Sequence, residues 1–472
     1  MRIEDTDSQR FVSGAEEYII EALAWCGISP QEGVHNGSVA EEPSTQHPFA
    51  PYRQSQRKEI YKKYALELIE KGYAYYAFDT SEELDRLRDE AESRGETFTY
   101  NYKVREALET SLKLSADETV TRLEQSNDWV IRFKMPEEHL IQMEDIIRGK
   151  IEVNSSALDD KVLWKASDSL PTYHLANVVD DKLMEISDVI RGEEWLPSLP
   201  LHYMLYEAFG WQNIRPNFAH LSLLLKPDGK GKLSKRDGDR LGFPVFPMEW
   251  KSPKGEISSG YREEGYFPEA FVNMLAFLGW NPGTEQELFT LDQLVQEFSL
   301  NRVVKSGAKF NPEKAKWYNQ EYLRLKSIPE LAAQFDLILK SKGIYKEPGF
   351  IESVVELIRE RAVFVKDFWE LSDYFFIAPE TYDQKVVKKF WKEDTELIIT
   401  EISQIIKEID SFTKEHLEQL LPSLIKERGW NMGSVMNSLR LLLVGESKGP
   451  SVADIMALIG KEETLTRISK RV

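Results

Sequence analysis

The segment KPDGKGKLSKRDGDR, residues 226–240, follows a short apolar run at 221–225 and reads as a strand leading into a mobile, glycine-rich loop. It carries six lysines and arginines (226, 230, 232, 235, 236, 240) against three aspartates (228, 237, 239), a net +3 inside a chain of formal net charge −19. Lysines on a flexible loop can close over a triphosphate and neutralise charge that develops during group transfer. From the pentapeptide 232–236 alone, a solvated lysine-rich turn fits as well, because cationic loops are common.

The remainder of the chain bounds that reading. Its 472 residues are about three times the usual single-domain length, so several domains with ample core are expected. A hydrophobic content of 42% with 29% charged residues is ordinary globular composition and excludes global disorder. The acidic balance excludes a uniformly basic coat for sequence-blind nucleic-acid binding, and leaves room for cations confined to one face. The single cysteine, Cys26, can form neither an intramolecular disulfide nor a multi-cysteine zinc site, which fits a reducing compartment. No stretch approaches about 18 consecutive apolar residues, and MRIEDTDSQR has no apolar signal region. A cytoplasmic protein without a membrane partner is expected.

Periodicity predicts a helix over 15–25 and another over 56–71 stopped by Gly72, with a loop at 29–52 between them. Residues 72–169 mix a helix at 81–95 with short strand-like pieces at 129–133, 151–153 and 162–165, the pattern of an inserted α+β module. Helix and turn signals resume over 171–195, with a further helix at 202–209. Beyond residue 289 nearly everything reads as helix: 291–298, 312–323, 351–366, 393–409, 413–429, 433–444 and 452–459. The first two thirds are therefore α/β and the last third all-α, with no solenoid repeat.

Two further constellations carry possible chemistry. In PTYHLANVVDD (171–181), Tyr173 and Asn177 are four residues apart and share a helix face, and in DVIRGEEW (188–195) Arg191 can hold a carboxylate by a bidentate pair. Taken alone, Arg191 is more readily a structural salt bridge and His174 a packed histidine. RIEDTD (2–7) places three carboxylates in four residues, suited to an amine or a metal, although capping of the next helix is the stronger reading in isolation.

Together with YRQSQR (52–57), KLSKR (232–236) and the closing LRLLLVG through LTRI (439–468), these motifs stand in an order and spacing that resembles the bacterial glutamyl-tRNA synthetases over essentially the whole chain. The resemblance implies a class I Rossmann-type catalytic domain over 1–71 and 171–225, interrupted at 72–170 by an acceptor-end-binding domain. It further implies a loop and stem-contact region at 226–310 and an all-α anticodon-binding region at 311–472. Glutaminyl enzymes of the class carry a β-barrel in that last position, so the strand-free tail separates the two. The implied activity is ATP-dependent attachment of L-glutamate to tRNA(Glu), by a monomer, with Mg2+ accompanying ATP.

By the same resemblance, KLSKR is this chain's KMSKS loop, so Lys232, Leu233, Ser234, Lys235 and Arg236 are catalytic candidates, and Lys235 and then Lys232 meet the triphosphate. Glu194 and Trp195 would sit at the adenosine. Glu4 would bind the α-amino group of glutamate and Arg191 its side-chain carboxylate, with Tyr173 and Asn177 lining the pocket. Arg359 and Arg361 are anticodon-reading candidates, or equally plain exposed helix positions. The family normally begins about 35 residues earlier, with a first strand and a HIGH-type helix start whose dipole meets phosphate. On that ground Met1 is expected to be an internal start or the sequence a fragment, impaired in adenylation, and a non-catalytic tRNA-binding derivative stays open as the alternative. Zinc, which some members hold through cysteines, is not expected at YAYYAF (73–78). The proline- and glycine-rich insertion near 245–260 and the choice between one tRNA and two are left undecided.

Overall fold

The computed structural model describes residues 1–6, 12–34, 42–252 and 255–470, and at 235, 236 and 239 the backbone alone. These residues form two compact units, Met1–Ser258 with Leu275–Phe310, and Ser259–Met274 with Asn311–Val472.

In the first unit, the strands Asp188–Gly192 and Asn217–Leu221 pair in parallel, with Asp188 opposite Asn217 and Arg191 opposite His220. A parallel pair needs a crossover, and the helix Leu199–Phe209 supplies it; every residue of that helix except Glu207 is buried, as its near-continuous apolar sequence requires. Further parallel pairing joins Leu224–Leu225 to Ala308–Lys309, and Ile3 bridges Arg53. The strand Asp188–Gly192 lies where the sequence shows only helix and turn signals. Its five residues are too short for a periodicity test, and its pairing comes from a strand 29 residues away.

The stretch 72–170 contains an antiparallel sheet in the order Ala74–Ala77, Val130–Phe133, Val162–Lys165, Leu170–Pro171, and a hairpin of Leu140–Asp145 against Gly149–Asn154. Its inner side chains Ile131, Phe133 and Leu163 pack in one core with Tyr61 and Leu68 of the helix Lys58–Glu70, Val178 and Val179 of the helix Tyr173–Leu183, and Tyr206 of the crossover helix. The helix Lys58–Glu70 stops as its sequence predicts: Gly72 takes a φ of 78° and its N–H closes on the Ile69 carbonyl. Around 245–260 a short hairpin, Trp250–Lys251 with Ile257–Ser258, lies against the helix Ala15–Trp25. There the Tyr18 hydroxyl donates to the Met248 carbonyl at 2.7 Å and Trp250 packs edge-on to the Tyr18 ring.

The described residues of the second unit contain no strand. Apolar residues at helical spacing bury one face of each helix: Leu331, Phe335 and Leu339 of Ile328–Ser341, and Ile351, Val354, Val355 and Ile358 of Pro348–Ile358. The helix expected over 351–366 is interrupted. It passes into a 3-10 turn at Arg359–Arg361, and from the first turn of a new helix, Asp367–Phe376, the Asp367 carboxylate reaches back to the N–H groups of Val363 and Phe364 in the connecting segment. Arg467, 2% exposed, ties the last helix to the unit through the carbonyls of Tyr374 and Leu443 at 2.6 and 2.7 Å. Among the described residues no helix is long and apolar enough to cross a membrane.

Candidate active site

Among the described residues, Glu4 and Asp5 do not cap the following helix. The helix Ala15–Trp25 begins at Gly14 without any side-chain cap, whereas Asp5 accepts from the N–H and hydroxyl of Ser55 at 2.8 and 2.6 Å. Asp7 lies outside the described residues. Extended backbone pairing of Ile3 with Tyr52 and Gln54 fixes residues 2–5 beside the helix Tyr173–Leu183. From there Arg2 donates to Asp181 at 2.8 Å, to Glu4 at 2.9 Å and to Asn177. Burial pushes the Asp181 carboxyl up to about 6, against the opposing charge and hydrogen bond of Arg2.

One residue before, fully buried Asp180 accepts from Arg57 Nε at 2.9 Å, the Tyr61 hydroxyl at 2.6 Å and Gln54 Nε2 at 3.1 Å. This polar knot anchors the helix Tyr173–Leu183 to the residues of YRQSQR, so Tyr173 and Asn177 present a fixed face. They meet as their spacing predicts, the Asn177 amide donating to the Tyr173 hydroxyl at 3.3 Å.

Arg191, at the end of the strand Asp188–Gly192, donates from Nη1 to the same hydroxyl at 2.7 Å, from Nε to His220 Nε2 at 3.0 Å, and from Nη2 to the Trp195 carbonyl at 3.5 Å. Among the described residues no carboxylate pairs with it, so the structural salt bridge that its sequence context favours is absent. Its remaining N–H groups are free for a ligand carboxylate. His220 in turn reaches Asp145 through Nδ1 at 2.6 Å, and neither side chain is exposed. His174 does pack, with Nδ1 3.3 Å from His202 Nε2; burial pushes its pKa down to about 4 and that of His202 well below the usual value.

Arg2, Glu4, Tyr173, Asn177, Arg191 and Trp195 line a single cavity of about 430 Å³. It offers a half-exposed carboxylate, Glu4, and the unpaired Arg191 guanidinium on one wall system, with the Tyr173 and Trp195 rings 4.5 Å apart. The four residues expected to meet one amino acid are thus brought together. The sequence did not point to Arg2, Asp181, Asp145 or His220. One signal was available: Leu140–Asp145 alternates outward and inward so that Asp145 falls on the buried side with Ile141 and Met143, where a carboxylate requires partners.

The described backbone of 226–240 takes defined turns. Gly229 and Gly231, at φ 77° and 84°, turn the chain so that Lys232 bridges Leu225, and Leu233 N–H closes on the Leu224 carbonyl. Ser234 and Asp237 then form a reciprocal cap on the helix Lys235–Leu241, with Lys226 and Arg240 both 3.2 Å from Asp237. Lys232 pairs with Glu194 at 3.0 Å, joining this segment to the turn that holds Trp195. The side chains of Lys235 and Arg236 lie outside the described structure. Among the described residues no group of three or more His, Cys, Asp or Glu side chains is arranged to hold a metal.

In the second unit, Arg361 is exposed and makes no hydrogen bond or ion pair among the described residues, whereas Arg359 Nε lies 3.6 Å from Glu360.

The catalytic-domain pattern of class I tRNA synthetases (E and Q) matches residues 1–317, and an anticodon-binding-domain pattern matches residues 323–472. The chain is 55% identical to a glutamate–tRNA ligase of Christiangramia forsetii and 54% to that of Flavobacterium johnsoniae, in both cases over 100% of this chain and 91% of the relative. A crystal structure of a glutamate tRNA ligase from Elizabethkingia meningosepticum, in complex with its amino acid, superposes with a TM-score of 0.94 at 50% identity, covering 99% of this chain and 91% of that one. With a matching catalytic pattern over more than half its length and relatives at 54–55% identity matched over all of this chain, it belongs to the glutamyl and glutaminyl class I aminoacyl-tRNA synthetases.

Proposed function

We propose that this chain uses ATP to activate L-glutamate and then transfers it to tRNA(Glu), as a monomer. The observation that carries the amino-acid choice is the Arg191 guanidinium, bare of carboxylates, at the wall of the Glu4-lined cavity. A glutamate side-chain carboxylate would complete it with two charge-assisted hydrogen bonds. A glutamine amide would turn its NH2 toward N–H donors or leave the cation uncompensated. Glu4 takes the α-amino group, leaving the α-carboxylate free to react, while Tyr173 and Asn177 set the walls.

In the first step an α-carboxylate oxygen attacks the α-phosphorus of ATP, and the bond to pyrophosphate breaks. In the second the terminal ribose hydroxyl of the tRNA attacks the acyl carbon, and AMP leaves. Lys232 and Lys235 neutralise the triphosphate, for which a lysine suits as a flexible point charge. Leu233, Ser234 and Arg236 complete that segment, and Glu194 and Trp195 sit at the adenosine. Magnesium is assigned as the partner of ATP phosphate. Arg361, unpaired and exposed, is the stronger anticodon-reading candidate and Arg359 the weaker.

Incubation with tRNA(Glu), magnesium, ATP and labelled amino acid tests the reading: label should enter the tRNA with glutamate and not with glutamine. Equal incorporation of glutamine, or none of glutamate, overturns it. In the same assay Arg361→Ala should change the preference between tRNA(Glu) and tRNA(Gln), and Arg359→Ala should not.

A further inference from the structure

A guanidinium has five donors and no acceptor, so the 3.0 Å contact of Arg191 Nε with His220 Nε2 requires a lone pair on that nitrogen. The imidazole must therefore be neutral, with its hydrogen on Nδ1. Asp145 enforces this tautomer. Its Oδ2 lies 2.6 Å from Nδ1 and also takes the His220 backbone N–H at 3.1 Å, while Oδ1 takes the N–H groups of Ile147 and Arg148 at 3.0 and 2.8 Å. Burial alone would raise the Asp145 carboxyl, but the His220 ring hydrogen bond and the N–H groups of Arg148 and His220 outweigh it and hold the group below the usual carboxylate range. The aspartate is thus an acceptor only, and the hydrogen between it and the ring belongs to Nδ1.

We propose that Asp145 and His220 are positioning residues for amino-acid selection: Asp145 fixes the His220 tautomer, and the His220 lone pair holds the Nε edge of Arg191 so that its free edge faces the cavity. The Tyr173 hydroxyl, 2.7 Å from Nη1, supplies the second point that fixes the guanidinium plane. Three segments far apart in sequence meet here: the hairpin Leu140–Asp145 with Gly149–Asn154, the strand Asn217–Leu221 and the strand Asp188–Gly192. Arg148 locks the hairpin turn to the strand Asn217–Leu221 and to the turn after Asp188–Gly192, donating to the His220 carbonyl at 3.1 Å and to Glu193 at 2.6 Å. A hairpin within the inserted stretch is therefore part of the frame of the amino-acid pocket. The inference rests on Arg191 meeting the side-chain carboxylate of glutamate.

Asp145→Asn tests it by reversing the tautomer: an amide NH2 facing Nδ1 drives the ring hydrogen to Nε2, where it opposes the Arg191 Nε–H. The expected result is a KM for glutamate raised about 10- to 100-fold, a typical loss when a buried group that orients a binding residue is removed, with the KM for ATP unchanged. The glutamate-over-glutamine preference should fall by a similar factor. His220→Gln, which can still accept from Arg191 through Oε1 and donate to Asp145 through Nε2, should stay within about fivefold of the parent, and His220→Leu should match Asp145→Asn. A natively folded Asp145→Asn with unchanged glutamate KM and preference overturns the proposal, as does equal behaviour of His220→Gln and His220→Leu, a comparison that stands even if Asp145→Asn does not fold. Failure of the parent chain to charge glutamate would instead overturn the underlying reading, and a large loss in Arg191→Gln beside unaffected Asp145 and His220 variants would overturn the positioning role alone.

Discussion

Replacing Arg191 by glutamine should separate the contribution of its charge from that of its shape. The parent guanidinium commits N–H groups to His220, Tyr173 and, at 3.5 Å, the Trp195 carbonyl, which leaves an unpaired edge for the ligand. Two hydrogen bonds to a charged partner contribute about 1.5–3 kcal/mol each. The cavity is partly open to solvent, which weakens the pair, so a loss of about 3–4 kcal/mol is the working figure. At 1.4 kcal/mol per decade this is roughly a 10²- to 10³-fold fall in kcat/KM for glutamate. Glutamine should change by less than about tenfold, because it never used the charge. Steady-state charging with each amino acid, at saturating ATP and tRNA, reads both numbers. A fall for glutamate below tenfold, or equal falls for both amino acids, would refute the reasoning that Arg191 meets the side-chain carboxylate.

The Asp180 knot should show in stability rather than specificity: Asp180→Ala leaves Arg57 buried without its carboxylate and should cost about 3–5 kcal/mol in urea unfolding of the first unit, where a cost under 1 kcal/mol would contradict the assignment. Gly192 has a φ of −69° that suits alanine, but a Cβ there would stand 2.2 Å from Glu194 Oε2. Gly192→Ala should therefore break the Lys232–Glu194 pair and change the KM for ATP severalfold with little loss of stability, and an unchanged KM would count against a role for that pair. His174 has a folded pKa of about 4 against 6.5 unfolded, so the unfolded chain binds the extra proton and stability falls as pH drops through that window. Wild type should lose up to about 1.4 kcal/mol per pH unit more than His174→Asn there, and parallel curves would contradict a buried neutral ring. Asp181, raised to about 6, contributes the opposite sign and cancels in that comparison.

Much of this arrangement was legible because local rules governed it. The four-residue spacing of Tyr173 and Asn177 put both on one helix face, Gly72 marked a helix end, and the strand-free C-terminal third separated two branches of one class. What escaped was non-local. The strand Asp188–Gly192 is defined by its partner, the segment after Arg359–Arg361 by the Asp367 carboxylate reaching back to it, and the Nδ1–H tautomer of His220 by an aspartate 75 residues away. In isolation the acidic stretch at 4–7 reads as a helix cap because charge pattern alone carries no direction, and the Ile3 pairing with Tyr52 and Gln54 places Arg2 and Glu4 at the cavity. Arg191 shows the same limit: its sequence context favours an ordinary ion pair, and its availability to a ligand follows from partners that are all neutral.

The central claim is that the Arg191 guanidinium, held by neutral groups, receives the side-chain carboxylate of the substrate. A crystal structure of this chain with L-glutamate bound tests it most directly. Both side-chain carboxylate oxygens should lie about 2.7–3.0 Å from the free edge of Arg191, with the α-amino group on Glu4. An α-carboxylate on Arg191, or a side-chain carboxylate held elsewhere, would contradict it.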